Sequence, residues 1–387
     1  MSSRSWSAQI TAPRLIALLL LAFFAAQCAY FISHVPLTQV EANYVYQGIA
    51  QLLGLNVSAD HLRSPLVPLA SVIGIAPVLP AGDALDQFWL DAHRWNIRLP
   101  FLFAGFLLGA SLWYVARRLY GSHAGYLALG VYAFSPGLIA RSSLAGPEIL
   151  GAWGAFGMIF TAIATAHTLY APREVVLWNW KRITILGISI ALAVGSQWSL
   201  ALVLIPALAY MLWAVPHRRL AALSIMAAAC AVALLLLSAL YGLEFGRFAQ
   251  DLATSRVLGI SVESTVHAQM LRAIGSFFVN GSPATLLCFV IAITTFAAWP
   301  RTRFFGNAAP LIVAVMLLVF GFVLPHSGGA MFFFYALPFL LLFSSGVFAD
   351  LFESQSPSVP IGVAYGGVVA QVVYSVAGLM RVFSRGM

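Results

Sequence analysis

The sequence predicts an all-α polytopic membrane protein, and three observations carry that expectation. Of its 387 residues, 61% are apolar and only 8% charged, against the roughly 25% charged of a soluble domain. The mean hydropathy is +0.92. The apolar residues are also gathered into runs long enough to cross about 30 Å of hydrocarbon.

In chain order, Met1–Arg14 is polar and basic. An apolar run from Leu15 to Ile32 follows without a small-residue cleavage site close behind it, so it reads as a retained first helix. Further runs lie near Leu99–Ala116, Ala124–Ala140, Ile149–Ala166, Ile183–Gln197, Leu200–Val215 and Leu220–Leu243. Others lie near Phe277–Ala298, Ala308–Leu324, Ala330–Phe348 and Val359–Leu379, which makes roughly eleven spans. Gln197-Trp198-Ser199 marks a tight hairpin between two of them. The chain reads as one transmembrane domain, with two long polar loops at 36–98 and 244–275. Loops of that length point to binding or catalysis.

The net charge of +8 orients the chain. With the N-terminus in the cytoplasm, the pairs Arg117-Arg118, Lys181-Arg182 and Arg218-Arg219 fall at cytoplasmic helix ends, as the positive-inside rule expects. That placement argues against nucleic-acid binding and puts both long loops on the extracytoplasmic face. The sequence has no phosphate-binding GxxxxGK[ST] loop and no GxGxxG, which weakens an ATP-driven transporter. Cys28, Cys230 and Cys288 lie inside apolar runs and read as packing residues rather than metal ligands or a disulfide.

Loop 36–98 holds Glu41, Asp60, Asp83, Asp86 and Asp91, five of only 12 acidic residues. Thr38–Leu53 fits an amphipathic interfacial helix, with Asn43, Gln47 and Gln51 on one stripe and Val45, Ile49 and Leu52 on another. Thr38-x-x-Glu41 is a capping box. Capping would use one carboxylate oxygen and leave the other for a general base or an acceptor hydroxyl. Arg63, beside His61, suits a lipid phosphate through its planar fork, although interfacial snorkelling explains it equally. Arg98, opening the second span as Arg-Leu-Pro, has the same two readings. In Arg141-Ser-Ser-Leu-Ala-Gly-Pro147-Glu148, Pro147 suits the first helical position and Glu148 the positive end of the helix dipole. A carboxylate at the head of a span is also a functional candidate. His326 and Tyr335 mark another extracytoplasmic turn, and Asn56-Val57-Ser58 is a glycosylation sequon of little weight.

At these residues the chain resembles the lipid-phosphate-sugar-dependent glycosyltransferases of the GT-C superfamily. The likeness is to the family that includes protein O-mannosyltransferases and the lipid A aminoarabinose transferase. The matching residues are Val40-Glu41 with Tyr44, Arg63-Ser64-Pro65-Leu66, Arg98-Leu99-Pro100, Ser135-Pro136, Arg141…Glu148 and Tyr335-Ala336-Leu337-Pro338. The resemblance covers residues 15–170 well, as a catalytic module, and leaves 171–387 as further transmembrane helices. It implies Tyr44, His61, Arg63, Arg98, Arg141, Glu148, His326 and Tyr335 as substrate-binding residues. Two departures stand out: Val40 occupies the position of the family's first acid, and Glu148 that of a later Asp. By the resemblance, Glu41 or nearby Asp60 is then the base.

The implied function is an inverting glycosyltransferase. It would move a sugar from a polyprenyl-phosphate donor to a glycan, lipid or protein acceptor at the extracytoplasmic face, in contact with membrane lipid. No cofactor is demanded; a divalent cation is compatible, but no ligand spacing calls for one. The rival from another class is a non-catalytic GT-C-derived subunit that binds lipid or a partner, and Val40 favours it. A transporter ranks third, because the charges sit at span ends rather than mid-membrane.

Overall fold

The computed structural model describes residues 12–53, 65–79, 86–169, 180–254, 267–268, 271–272, 274–276, 282–302, 304–324, 329–354 and 358–385. These form helices, with no strand among them. Helix α1 (Ala12–His34) is an uninterrupted apolar run that stops before Pro36. Helix α2 (Gln39–Leu52) begins where the capping box requires: the Thr38 side chain accepts from the Glu41 N–H, and Glu41 accepts from the Thr38 N–H. Helix α3 (Leu66–Ile73) leads through a 3-10 turn (Ala76–Val78) towards α4 (Gln87–Ala92), which Asp86 caps by accepting from the Trp89 N–H at 2.7 Å. Helix α5 (Arg94–Tyr120) then enters the bundle.

The run expected near Ala124–Ala140 is two helices, α6 (Ser122–Ala133) and α7 (Pro136–Ser142). Pro136 lacks the N–H that would continue the ladder, and the break frees carbonyls inside the bundle. Side chains from both ends of the chain take them up. Gln27 of α1 donates to the Ala133 carbonyl at 3.0 Å, and Gln371 donates to the Phe134 carbonyl at 2.9 Å. Ser375 in turn donates to the Gln27 Oε1 at 2.7 Å.

Helix α8 (Pro147–Thr168) starts on Pro147 as expected. Then follow α9 (Trp180–Ser196), a 3-10 turn (Trp198–Val203) and α10 (Leu204–Ala214), so the chain breaks at Gln197 as expected, but through a six-residue 3-10 segment rather than a tight hairpin, with both helices packed on α8. Helices α11 (Arg219–Ala239), α12 (Phe245–Thr254), α13 (Pro283–Ala298), α14 (Phe305–Val323), α15 (Gly329–Phe352) and α16 (Ser358–Arg385) complete the described chain.

Each of the eleven expected runs carries helix, but only 7 described helices are individually long and apolar enough to cross a membrane: α1, α5, α8, α11, α14, α15 and α16. The difference has a physical basis. One expected span is broken at proline and the others are short helices, two of them on either side of Gln197, so none reaches the length of a span by itself. Helix α15 is central, with 89% of its apolar window buried, whereas α16 lies outermost at 17%.

Antiparallel packing follows from close approaches at small residues. A Cβ at Gly154 would collide with the Ala193 backbone, and one at Gly157 would lie 2.5 Å from the Ser189 Oγ. Helices α8 and α9 therefore run backbone to backbone in opposite directions. The ends of the bundle differ in charge. Arg218 donates to the Leu169 carbonyl at 2.9 Å, joining the end of α8 to the start of α11. Tyr120 donates to the Gly306 carbonyl, and Asn307 donates to Asp350 at 2.8 Å. These contacts gather Arg117-Arg118, Lys181-Arg182 and Arg218-Arg219 at the end remote from α2.

Candidate functional site

The site begins with the way the first loop is tied down. The C-terminus of α1 presents carbonyls with no intrahelical partner, and arginines from the first turn of α5 meet them. Arg94 donates to the Ser33 carbonyl at 2.5 Å. Arg98 donates to the carbonyls of Val35 at 2.7 Å and Pro36 at 2.8 Å. Helix α4 holds the same linker from its other side: Asp91 accepts from the Leu37 N–H at 2.6 Å, and Gln87 donates to the Leu37 carbonyl at 3.1 Å.

Arg98 also forms a two-pronged pair with Glu41, Nε to Oε1 at 2.8 Å and Nη2 to Oε2 at 2.7 Å. Arg98 is 0% exposed and Glu41 2%. Oε1 further accepts from the Ala145 N–H at 2.9 Å. Oε2 accepts from the Thr38 N–H at 2.9 Å and the Thr38 hydroxyl at 3.0 Å. Capping therefore does not leave an oxygen of Glu41 free, as the sequence had suggested, because both oxygens are fully engaged. Burial pushes the Glu41 carboxyl up, but the hydrogen bonds and charge of Arg98, with the Ala145 and Thr38 N–H groups, outweigh it and hold it below the usual carboxylate range. Arg98 is likewise committed inside the protein. Together they brace α1, α2 and α5 against the turn at Ala145.

That turn carries the second acid–base pair. Arg141 Nη1 donates to Glu148 Oε1 at 2.5 Å, and the Arg141 guanidinium lies 5.1 Å over the Phe334 ring. The Arg141 side chain is 44% exposed, in contrast to Arg98, and that of Glu148 is 9% exposed. Glu148 Oε2 has no hydrogen-bond partner among the described residues and folds back over Gly146, where any Cβ would collide with it.

Behind this rim, Tyr335 is 0% exposed. It packs on Gly151, whose Cβ position lies 2.7 Å from the Tyr335 ring, and donates to Gln197 Oε1 at 2.6 Å. Glu148 and Tyr44 both lie within electrostatic reach of the Tyr335 hydroxyl. Tyr44 is half-buried on α2.

Of the residues singled out in the sequence, Glu41, Tyr44, Arg98, Arg141, Glu148 and Tyr335 thus come together at one end of the bundle. Asp60, His61, Arg63 and His326 lie outside the described residues, as does Asn56. Sequence reasoning missed Gln197, noted only as a hairpin, and the Ala145 N–H, which no side-chain pattern could signal. Among the described residues no group of three or more His, Cys, Asp or Glu side chains gathers in a metal-binding arrangement.

Comparison with known proteins agrees with this architecture. Residues 89–241, from α4 to the end of α11, match the family model described as dolichyl-phosphate-mannose-protein mannosyltransferase. The match includes Arg98, Arg141, Glu148 and Gln197; it begins after Glu41, Tyr44 and Arg63, on which part of the expected resemblance over 15–170 rested, and continues beyond residue 170. No curated protein matches the chain in sequence. Among solved structures, the archaeal oligosaccharyltransferase AglB from Archaeoglobus fulgidus, in complex with an inhibitory peptide and a dolichol-phosphate, is similar over 94% of this chain and 56% of its own, with a TM-score of 0.56 and 12% identity. The apo form of the Archaeoglobus fulgidus oligosaccharyltransferase covers 97% and 56%, with a TM-score of 0.52 and 13% identity. The form tethered to an acceptor peptide containing the NVT sequon covers 94% and 55%, again at 0.52 and 13%. The chain thus spans just over half the length of these proteins. It is similar to the dolichyl-phosphate-mannose-protein mannosyltransferase family across residues 89–241 and shares the fold of these oligosaccharyltransferase structures over 94% or more of its length.

Proposed function

We propose that this protein is a glycosyltransferase that moves a sugar from a polyprenyl-phosphate donor to an acceptor hydroxyl at the membrane face carrying α2–α4. The observation that carries the reading is the Arg141–Glu148 pair, reachable at the rim and held from behind by the buried Glu41–Arg98 brace. The family match and the dolichol-phosphate bound by the AglB structure support the donor class. The basic pairs gathered at the opposite end support a cytoplasmic N-terminus and an extracytoplasmic site.

In this mechanism the acceptor oxygen attacks the anomeric carbon from the side opposite the phosphate. The bond between that carbon and the phosphate oxygen breaks, and its electron pair leaves with the phosphate, inverting the centre. Glu148 Oε2 takes the acceptor proton. Protonation neutralises Glu148 and releases Arg141 from its ion pair just as negative charge builds on the departing phosphate, which the planar guanidinium suits. Arg63 would share that role if it faces the same phosphate, and Asp60 is the alternative base. Glu41, with no free oxygen, acts by position.

The test is transfer by the purified protein in lipid nanodiscs. Glu148→Gln lowers transfer by about 100-fold or more with the unfolding midpoint retained; near-wild-type transfer would remove Glu148 as base. A second reading rests on Val40, which is 62% exposed where the resembling family carries an acid. On that reading the protein binds lipid phosphate as a non-catalytic subunit. Wild-type protein that binds polyprenyl phosphate but transfers no sugar from any donor would establish it.

A further inference from the structure

Gln197 takes no part in the mechanism above, yet elements around the Arg141–Glu148 pair are joined through it. Its backbone closes α9 by donating to the Ala193 carbonyl at 3.0 Å, and opens the 3-10 turn by accepting from the Leu200 N–H at 3.0 Å. Its side chain is buried and held at both ends of the amide. Nε2 donates to the Ser199 hydroxyl at 2.7 Å, and Oε1 accepts from the Tyr335 hydroxyl at 2.6 Å. The second of these bonds ties the end of α9 to the second turn of α15.

Direct contacts place that turn beneath the pair. Gly151 stands three residues after Glu148, on the next turn of the same face of α8. Only its missing Cβ lets the Tyr335 ring lie there: a Cβ would come within 2.7 Å of Cε1 and 3.0 Å of Cζ. The neighbouring Phe334 carries the Arg141 guanidinium 5.1 Å over its ring. One short stretch of α15 therefore underlies both members, with Phe334 under Arg141 and Tyr335 one turn below Glu148. The face of a ring holds a cation by proximity, so where this stretch sits decides where the half-exposed guanidinium rests.

We infer that Gln197 is a positioning residue for transfer. Through Tyr335 it fixes the second turn of α15, and through Phe334 that turn fixes the Arg141 guanidinium against the departing phosphate. The inference rests on the transfer reading above and adds a residue to it. Gln197 needs no contact with either substrate. A misplacement of about 1 Å can cost a reaction about 100-fold, so one hydrogen bond behind the site is enough to be felt.

The experiment is steady-state transfer by full-length protein in lipid nanodiscs, well below the unfolding midpoint. Dolichyl phosphate carrying mannose or glucose is the donor, and a methyl hexoside or a serine-containing peptide is the acceptor. Tyr335→Phe removes the donor of the bond and keeps the ring, and Gln197→Leu removes the acceptor. The double variant leaves neither partner unpaired and serves where a single one fails to fold. Each single variant should lower kcat/KM by about tenfold, in whichever of KM and kcat Arg141→Met changes. The double variant should lose no more than either single one. In an Arg141→Met background, Gln197→Leu should change kcat/KM by less than about twofold. A purely structural bond would lower the unfolding midpoint and leave the kinetic constants of the folded protein as they were. If both single variants and the double keep kcat/KM within about twofold of wild type while Glu148→Gln is inactive, the positioning role falls and the transfer reading stands. A loss in the other kinetic constant, or a full further loss in the Arg141→Met background, overturns the role as well. Wild-type protein that transfers from neither donor overturns both.

Discussion

Disrupting the Glu41–Arg98 pair tests the reasoning behind the site most directly. In Glu41→Gln the side chain keeps its shape, but whichever way the amide turns, its NH2 group meets at least two N–H donors: Arg98 Nε and Ala145 N on one side, Arg98 Nη2 and Thr38 N on the other. The Arg98 guanidinium is then a buried charge without a counter-charge. Breaking a buried pair at one partner costs about 3–5 kcal/mol, which lowers the unfolding midpoint by about 6–10 °C at roughly 2 °C per kcal/mol. Arg98→Met costs more, because the Val35 and Pro36 carbonyls lose a donor as well, at about 1–3 kcal/mol for each carbonyl left unpaired. The double variant loses less than the sum. The readout is thermal unfolding in detergent, followed by tryptophan fluorescence. Acid titration adds a signature. Glu41 has a folded pKa below its ordinary 4.5, so its contribution is complete above that value and is lost as pH falls through the folded value. Wild-type protein should therefore lose this contribution below about pH 4.5, whereas Glu41→Gln should show a flatter profile there. A Glu41→Gln protein with the wild-type midpoint at neutral pH and the wild-type acid slope would refute the brace.

Other expectations follow from the same packing. Arg141→Met should raise the KM for donor more than it lowers kcat if the guanidinium holds the ground-state phosphate, and lower kcat if it acts only as charge develops; steady-state transfer kinetics separate the two. Gln27→Leu leaves the Ala133 carbonyl and the Ser375 hydroxyl without partners and should cost about 1–3 kcal/mol. Gln371→Leu should cost less, because Gln371 Oε1 is already an unpartnered buried atom that the substitution removes; paired melting curves rank them. Gly154→Val forces α8 from the Ala193 backbone and should cost about 1–3 kcal/mol. Gly246→Ala, where a Cβ meets open space, should not lower the midpoint.

The sequence by itself determined what local chemistry decides. Apolar runs located the helices, Thr38-x-x-Glu41 started α2 at its observed residue, Pro147 opened α8, and Gln197 turned the chain. The stripe on α2 was legible too, because helical period alone sets which residues share a face. The number of spans was less legible, because apolar composition does not register that Pro136 splits one run into two short helices whose freed carbonyls neighbouring helices take up. The roles within the site were settled only in three dimensions. Glu41 finds Arg98 across 57 residues and the Ala145 N–H across 104, and Tyr335 finds Gln197 across 138. A carboxylate is a base or a brace according to how many donors surround it, and here those donors come from distant turns and from the backbone, which leaves no mark in the order of side chains.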